Sequence, residues 1–219
     1  GVFPHNFRDL TLVSGTIGDY AALVVPANSN IKSMGDLVSA YKGNPSGVAI
    51  GGGSVPGGMD HLVAAMVMQA AGANPTEVKY VAYDAGGKAM AAMLSGEIKA
   101  LSTGFSEAVA MAKAGEANII GVTSNDRVGA FPDAKTMKEQ GIDTYFVNWR
   151  GFFAAPGLPK DKLAAYQKAI DKMYSTPEWE AVRARNGWEN IHNPGDDFMT
   201  FLEGQEKEIG DLMKQLGFL

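Results

Sequence analysis

Short apolar runs alternate with alanine- and methionine-rich stretches along the first part of the chain, up to residue 125. The apolar runs have the length of buried strands, and the longer stretches have the composition of buried helices. The pattern predicts helices at 62–71, 88–94 and 107–114, which separate strands at 47–50, 78–83, 98–101 and 118–122. Because a crossover helix returns the chain in the same direction, the four strands are predicted to form a parallel sheet.

The residue pattern is different on either side of this series of strands and helices. Two strands are predicted before it, at 10–13 and 22–25, with glycines between them. An extended aromatic segment follows it at 145–157, and then come helices that begin near Pro159, Pro177 and Pro194. The change of texture near Trp149 is the only domain boundary that the composition supports.

A loop with five glycines, at 51–58, joins the first strand of the series to its first helix. Glycine lets the backbone turn tightly and approach a ligand, while the helix start offers unpaired N–H groups and a positive dipole end. The glycine loop is therefore predicted to hold a carboxylate or a phosphate. The structural alternative is a tight turn that binds nothing.

Two later strands also end in loops of small residues, at 84–87 and 102–106, that lead into helices. In a parallel sheet the loops after the strands lie at the carboxyl edge, where open α/β sheets bind their ligands. Three such loops in succession predict one shared ligand site.

The glycine loop does not match the nucleotide-binding motifs. Counting from Gly51, the sixth position is Pro56, where a dinucleotide-binding loop needs glycine. Gly57 is followed by another glycine, whereas the phosphate loop of NTPases needs lysine there. Ser54 has Pro56 two residues later, where a nucleophile elbow needs glycine.

Composition narrows the function classes. Hydrophobic residues make up 46% of the chain and charged residues 20%, with a formal net charge of −5 and no basic cluster, so nucleic acid is not an expected partner. The absence of cysteine excludes thiol catalysis, disulfides and zinc–sulfur sites. The three histidines lack metal-ligand spacing. No metal ion and no cofactor are therefore predicted.

Several segments together resemble the substrate-binding proteins of tripartite tricarboxylate transporters, the TctC or Bug family. They are PANS at 26–29, KSMGDL at 32–37, VAIGGGS at 48–54, GGMDH at 57–61, YDAGG at 83–87 and NWRGFFAAPG at 148–157. The resemblance runs from about residue 7 to the C-terminus. Each motif is weak by itself, and their combination is moderately specific.

This resemblance implies an α/β, periplasmic-binding-protein-like (type II) fold of two lobes, one of them a complete parallel-sheet lobe and the other an incomplete first lobe. Residues 1–22 would belong to the first lobe and 23–148 would form the second. Residues 149–219 would form the hinge crossing and the C-terminal helices of the first lobe. The N-terminal part of the first lobe and the signal peptide are not expected in this chain, and self-association through the incomplete lobe is expected.

The resemblance also implies a periplasmic, extracytoplasmic protein that captures a small di- or tricarboxylate and delivers it to the permease subunits of a membrane transporter. Recognition would rest on backbone N–H groups, hydroxyls and helix dipoles. Asp60 is expected to turn back and accept hydrogen bonds from its own helix. The implied ligand residues are Gly52, Gly53, Ser54, Gly57, Gly58, Ala85, Gly86, Gly87, Thr103, Gly104 and Arg150.

Arg150 is the only cation that we place near this site, and an ordinary hinge ion pair is the alternative for it. Two other functions are considered for the whole chain. The first is an α/β serine hydrolase that uses Ser54 with His61, although no acid is placed to orient the imidazole. The second is a metabolite-sensing regulatory domain, because one fold serves several functions. The binding-protein hypothesis predicts no catalytic residues.

Overall fold

The computed structural model describes residues 4–219, and the contacts within it divide the chain into two units. The first unit contains the residues up to Gly18 together with Trp149–Gly210. The second unit contains Asp19–Asn148 together with Asp211–Leu219. The C-terminal residues therefore group with the second unit, whereas the division expected from the sequence assigned them to the first lobe.

Residues 11–26 form one strand, β1 (Thr11–Pro26), where the sequence pattern predicted two strands broken by glycines. Gly15 stays in the ladder, and its α-carbon faces the buried ring of Phe198, which a β-carbon would approach to 3.1 Å. Glycine at this position serves close packing and not a turn. The pairing register of β1 shifts at two points, but the strand continues through both.

The sheet of the second unit is mixed, which corrects the predicted parallel sheet. Its strand order is β3-β2-β4-β1-β5, with β2 (Ile50–Gly52), β3 (Tyr80–Ala82), β4 (Ala100–Gly104) and β5 (Ala117–Val122). Strands β3 and β4 run parallel to β2, while β1 runs antiparallel to both β4 and β5. The four strands of the predicted series do share one direction. The alternation of strands and helices gave no sign that β1 would insert between the last two.

Helices cover both faces of this sheet. They are α1 (Met34–Gly43), α2 (Met59–Ala70), α3 (Gly86–Ser95) and α4 (Phe105–Lys113). Leu23 of β1 belongs to a hydrophobic cluster with α1 and α2, while its neighbour Val24 belongs to a second cluster with α3 and α4. Successive residues of a strand point to opposite faces, so one central strand contributes to both clusters.

The first unit contains β6 (Val147–Ala154) and β7 (Glu189–Pro194), which both pair with β1. Its helices are α5 (Lys160–Tyr174), α6 (Pro177–Asn186) and α7 (Asp196–Gln215). Thr176 caps α6, since its hydroxyl oxygen accepts a hydrogen bond from the amide of Trp179 at 3.3 Å. Within residues 4–219, every helix is too short or too polar to cross a lipid bilayer.

Candidate ligand-binding site

The three predicted loops meet at the carboxyl edge of the second unit's sheet. A β-carbon at Gly53 would lie 2.4 Å from the amide nitrogen of Gly86, so the glycine loop touches the start of α3. A β-carbon at Gly86 would lie 3.1 Å from Oε2 of Glu107, in the first turn of α4. The loops at 51–58, 84–87 and 102–106 thus form one continuous surface.

A buried carboxylate accepts hydrogen bonds from the amides of the glycine loop. Asp60 is 6% exposed, and its Oδ2 accepts a hydrogen bond from the Ser54 hydroxyl at 2.9 Å. The backbone N–H groups of Gly53 and Ser54 also donate to this carboxylate. The expectation that Asp60 would bond N–H groups of its own helix is therefore wrong, because the loop folds over the side chain and presents its amides first.

The environment of Asp60 shifts the pKa of its carboxyl group. Burial raises the pKa of the Asp60 carboxyl, and the charge of Glu107 adds to the rise. The hydrogen bonds from Ser54 and Gly53 act in the opposite direction, since they stabilise the charged form. The net shift is upward.

His61 hydrogen-bonds the glycine loop at Gly57, while the Ser54 hydroxyl donates to Asp60. Its Nδ1 accepts a hydrogen bond from the amide of Gly57 at 3.1 Å. Its ring stacks on Tyr80, with centroids 4.6 Å apart, and meets the edge of Phe218 at 5.4 Å. Burial lowers the pKa of His61, so the imidazole is neutral with its proton on Nε2. The proposed Ser54–His61 pair of a hydrolase is absent from this geometry.

The other glycines of the loop are also engaged within the protein. The amide of Gly58 donates to the carbonyl of Val55 at 2.8 Å. Gly52 lies beneath Asp60 and Tyr80, where a β-carbon would come within 2.4 Å of one side chain and 2.5 Å of the other. The loop that the sequence indicated as an anion site thus directs its amides to internal acceptors.

The start of α3 is different from those of α2 and α4: among residues 4–219, no side chain accepts a hydrogen bond from the amide of Gly86 or Gly87, whereas Ser54 and Asp19 accept from the first turns of the other two helices. Its N-cap residue is Ala85, which has no side-chain acceptor, and the first two helical residues are Gly86 and Gly87. The first N–H groups of a helix have no partner inside the helix and carry the positive end of its dipole. Within residues 4–219, no atom other than those of its chain neighbours and its own helix backbone lies within 4 Å of the position of a β-carbon on Gly87. The space beside Gly87 is therefore open at this helix start, while Gly86 packs against Gly53 and Glu107.

The start of α4 is capped by a residue of β1. The amide and hydroxyl of Ser106 donate to the carboxylate of Asp19 at 3.3 and 2.6 Å. Thr103 donates its hydroxyl hydrogen to Glu107 at 2.5 Å, and Gly104 leaves room for Asp19, which a β-carbon would approach to 2.9 Å. The predicted ligand residues Thr103 and Gly104 therefore lie beside internal carboxylates.

Sequence reasoning missed two of these acids. Asp19 is 5% exposed within a long apolar strand, and a charged residue in such a strand is the signal that could have identified it. Glu107 stands four residues after Thr103, in the first turn of the next helix, where an acidic residue favours the helix start.

Arg150 belongs to the first unit, whereas the other ten predicted ligand residues belong to the second. It lies on β6, and its carbonyl accepts a hydrogen bond from the Thr16 hydroxyl at 3.0 Å. Its guanidinium contacts the carbonyl of Trp149 at 3.5 Å. Its assignment to the ligand stays a prediction.

Residues 2–218 match the sequence model of the family described as tripartite tricarboxylate transporter family receptor, TctC. The chain belongs to this family. It is 25% identical over 224 residues to a UPF0065 protein of Bordetella pertussis, and the aligned region covers 99% of this chain and 68% of the relative. It is 23% identical to a UPF0065 protein of Cupriavidus necator, over 96% of this chain and 63% of the relative. The chain thus spans about two thirds of the length of these relatives.

Solved structures of the same type share the fold. A TctC solute-binding protein from Polaromonas superposes with a TM-score of 0.79 at 22% identity, over 99% of this chain and 73% of that one. The periplasmic binding protein BugD gives 0.81 at 19% identity, over 95% and 70%. An R. palustris protein solved with adipate gives 0.84 at 18% identity, over 95% and 69%. The α/β periplasmic-binding-protein fold of the TctC type is therefore confirmed. Both the family and the fold of this chain are those of substrate-binding proteins.

Proposed function

We propose that this protein is the solute-binding component of a tripartite tricarboxylate-type transporter. In this proposal it captures a small di- or tricarboxylate in the periplasm and delivers it to the permease subunits in the membrane. The observation that carries the proposal is the uncapped start of α3 at the edge where three loops meet. Membership of a family of transporter receptors supports the assignment to transport rather than to sensing.

One carboxylate of the ligand would accept hydrogen bonds from the amides of Gly86 and Gly87. Among the loops at 51–58, 84–87 and 102–106, the start of α3 has no carboxylate that accepts from its amides, while Asp60 accepts from the glycine loop and Asp19 accepts from the start of α4. A helix N-terminus favours an anion through its N–H groups and its dipole, without any arginine or lysine. The adipate in the R. palustris protein is a ligand of the class that such a site would accept.

The proposal includes no catalysis. Ser54 donates to Asp60 rather than to a base, and Nδ1 of His61 is occupied by the amide of Gly57. A nucleophilic serine needs a base within hydrogen-bond reach that is oriented by a third group. Ser54→Ala is therefore expected to leave any background ester hydrolysis unchanged, and a loss of hydrolysis in this variant would contradict the proposal.

The decisive experiment measures thermal unfolding with adipate, malate and citrate, followed by calorimetric titration of the acids that raise Tm. A ligand at 100 times its Kd stabilises the folded state by about 2.7 kcal/mol. Hexane-1,6-diol, which matches adipate in chain length but has no charge, is the control and should give no shift. If none of the acids raises Tm or releases heat, the proposed function is wrong.

A further inference from the structure

Asp60 is buried, and the donors that surround its carboxylate belong to the glycine loop. They are the Ser54 hydroxyl at 2.9 Å and the backbone N–H groups of Gly53 and Ser54. A buried carboxylate is costly unless hydrogen bonds compensate for the lost water. The loop supplies that compensation, so the loop conformation and the Asp60 side chain depend on each other.

Ser54 is held from a second direction as well. The Tyr80 hydroxyl donates to the carbonyl of Ser54 at 2.8 Å, while the amide of Asp60 approaches the Ser54 hydroxyl oxygen at 3.4 Å. Gly52 allows Asp60 and Tyr80 to lie directly over the end of β2, since a side chain there would clash with both. The carboxylate is therefore enclosed by fixed groups.

The position of the loop is passed on to α3 through Gly53. A β-carbon at Gly53 would lie 2.4 Å from the amide nitrogen of Gly86 and 2.7 Å from the carbonyl carbon of Ala85. Both neighbours are backbone atoms, which have no rotamer freedom. A shift of Gly53 toward α3 would therefore displace the first residues of that helix.

We propose that Asp60 is a positioning residue for ligand binding: its carboxylate holds Gly53 and Ser54, and Gly53 in turn sets the direction of the Gly86 and Gly87 amides. Asp60 takes the place within the glycine loop that a ligand anion would otherwise occupy, and the ligand meets α3 instead. The consequence for affinity rests on the proposed function, whereas the coupling from Asp60 to Gly86 is a property of the ligand-free protein.

The charged and titratable groups near Asp60 decide how the coupling responds to acid. Glu107 of α4 disfavours the charged form, Tyr80 of β3 is a neutral phenol, and His61 of α2 is a neutral imidazole. Protonation of Asp60 therefore weakens the hold on Gly53 and Ser54. It begins at a higher pH than for an exposed aspartate, because the pKa of Asp60 is raised by burial.

Asp60→Asn tests the proposal, with Asp36→Asn as the matched control. Asp36 is an exposed carboxylate in the first turn of α1, where it accepts a hydrogen bond from the amide of Lys32 at 2.9 Å. The first readout is the set of amide NMR signals of Gly53, Ser54 and Gly86 in ligand-free protein during a pH titration. In the wild type and in Asp36→Asn, the three signals should move together with one midpoint above the ordinary aspartate range. In Asp60→Asn that common movement should vanish.

The second readout is the Kd for adipate. Asp60→Asn should weaken binding about tenfold, as expected for the loss of hydrogen bonds to a charged group, while Asp36→Asn keeps the wild-type Kd. Ser54→Ala, a milder change, should weaken binding in the same direction and add nothing to Asp60→Asn. Equal or tighter adipate binding by Asp60→Asn overturns the proposal. The proposal is also overturned if the pH-dependent movement of the Gly86 signal is the same in Asp60→Asn as in the wild type. This outcome tests the coupling from Asp60 to Gly86 even if the wild type binds no carboxylate.

Discussion

The amide of Gly57 donates a hydrogen bond to Nδ1 of His61 at 3.1 Å, which ties the turn of the glycine loop to the first part of α2. Gly57 has φ of +81°, a left-handed conformation that favours glycine. The Phe218 ring covers both residues. It lies 3.4 Å from the position that a β-carbon on Gly57 would occupy, and its centroid is 5.4 Å from the centroid of the imidazole. The imidazole can accept this hydrogen bond only while Nδ1 is unprotonated.

Acid should therefore destabilise the second unit through His61. Its pKa in the folded state is lowered by burial, so the stabilisation is present above the unfolded value of about 6.5 and is lost as the pH falls through the folded value. His61→Gln, whose amide oxygen can accept from Gly57 without titrating, should show a flatter fall of Tm between about pH 7 and 5. Parallel curves for the two proteins would refute this role.

The exposed His5 provides the control for that experiment. It lies 3.4 Å from Asp9, with 65% of its side chain exposed. Exposed pairs contribute little to stability, so His5→Gln should keep the wild-type dependence of Tm on pH.

Gly87→Ala should separate ligand binding from folding. The methyl group has open space, and alanine is favoured over glycine within helices by up to about 1 kcal/mol, so Tm should not fall. The same methyl group narrows the approach to the amides at the start of α3 and should weaken adipate binding, by about tenfold if one hydrogen bond is lost.

Gly43→Ala is the matched change at the end of α1, where a β-carbon also meets no atom within 4 Å. It should leave adipate binding at the wild-type level. Identical Kd values for Gly87→Ala, Gly43→Ala and the wild type, measured by calorimetry, would exclude the start of α3 as the carboxylate contact.

Gly53→Ala should destabilise the protein, because its β-carbon would meet three backbone atoms of 85–86 at less than 3 Å. Overpacking of this kind costs about 1–3 kcal/mol. Denaturant unfolding gives the free energy directly. Gly129→Ala, at an exposed glycine with no atom within 4 Å of its β-carbon, should change the free energy of unfolding by less than about 0.5 kcal/mol. A wild-type free energy for Gly53→Ala would show that the loop and α3 are not in close contact.

The series of strands and helices in the second unit could be predicted from the sequence because its signals are local. Apolar runs, helix-forming composition and glycine turns occur within short windows. The antiparallel entry of β1 depends on pairing between Val24 and Leu101, 77 residues later, and a pattern of neighbouring residues does not contain that pairing.

The meeting of the three loops could be predicted from the sequence, but the hydrogen bonds made within them could not. Small residues at loops and helix starts indicated where the loops meet. They could not show that Asp60 would take the amides of Gly53 and Ser54, because the direction of a side chain depends on how the loop folds over it. The absence of a side-chain cap on α3 could have been anticipated, since Ala85 has no acceptor to offer.

Tyr80→Phe should cost about 0.5–1.5 kcal/mol, the usual contribution of one hydrogen bond, because its hydroxyl donates to the carbonyl of Ser54 in a half-buried setting. The stacking on His61 is retained in this variant. Tyr83→Phe removes a hydroxyl that donates to Glu97 in an exposed setting, where water can replace it, and should cost much less. If Tyr80→Phe and Tyr83→Phe lower the free energy of unfolding equally in chemical denaturation, the hydrogen bond to Ser54 contributes no more to stability than the exposed one to Glu97.

The long reach of β1 also governs the order in which this protein can fold. Ala21–Val25 are fully buried in the finished sheet, where Val24 pairs with Leu101 on one side and with Ile119 on the other. Contacts between residues so far apart in sequence form slowly, since the intervening chain must first be brought together. During synthesis β1 therefore emerges as an apolar strand with two open edges and waits while some 95 residues are added. Its assembly into the sheet has to wait until β4 and β5 have been made, and until then its open edges are what chaperones would have to protect.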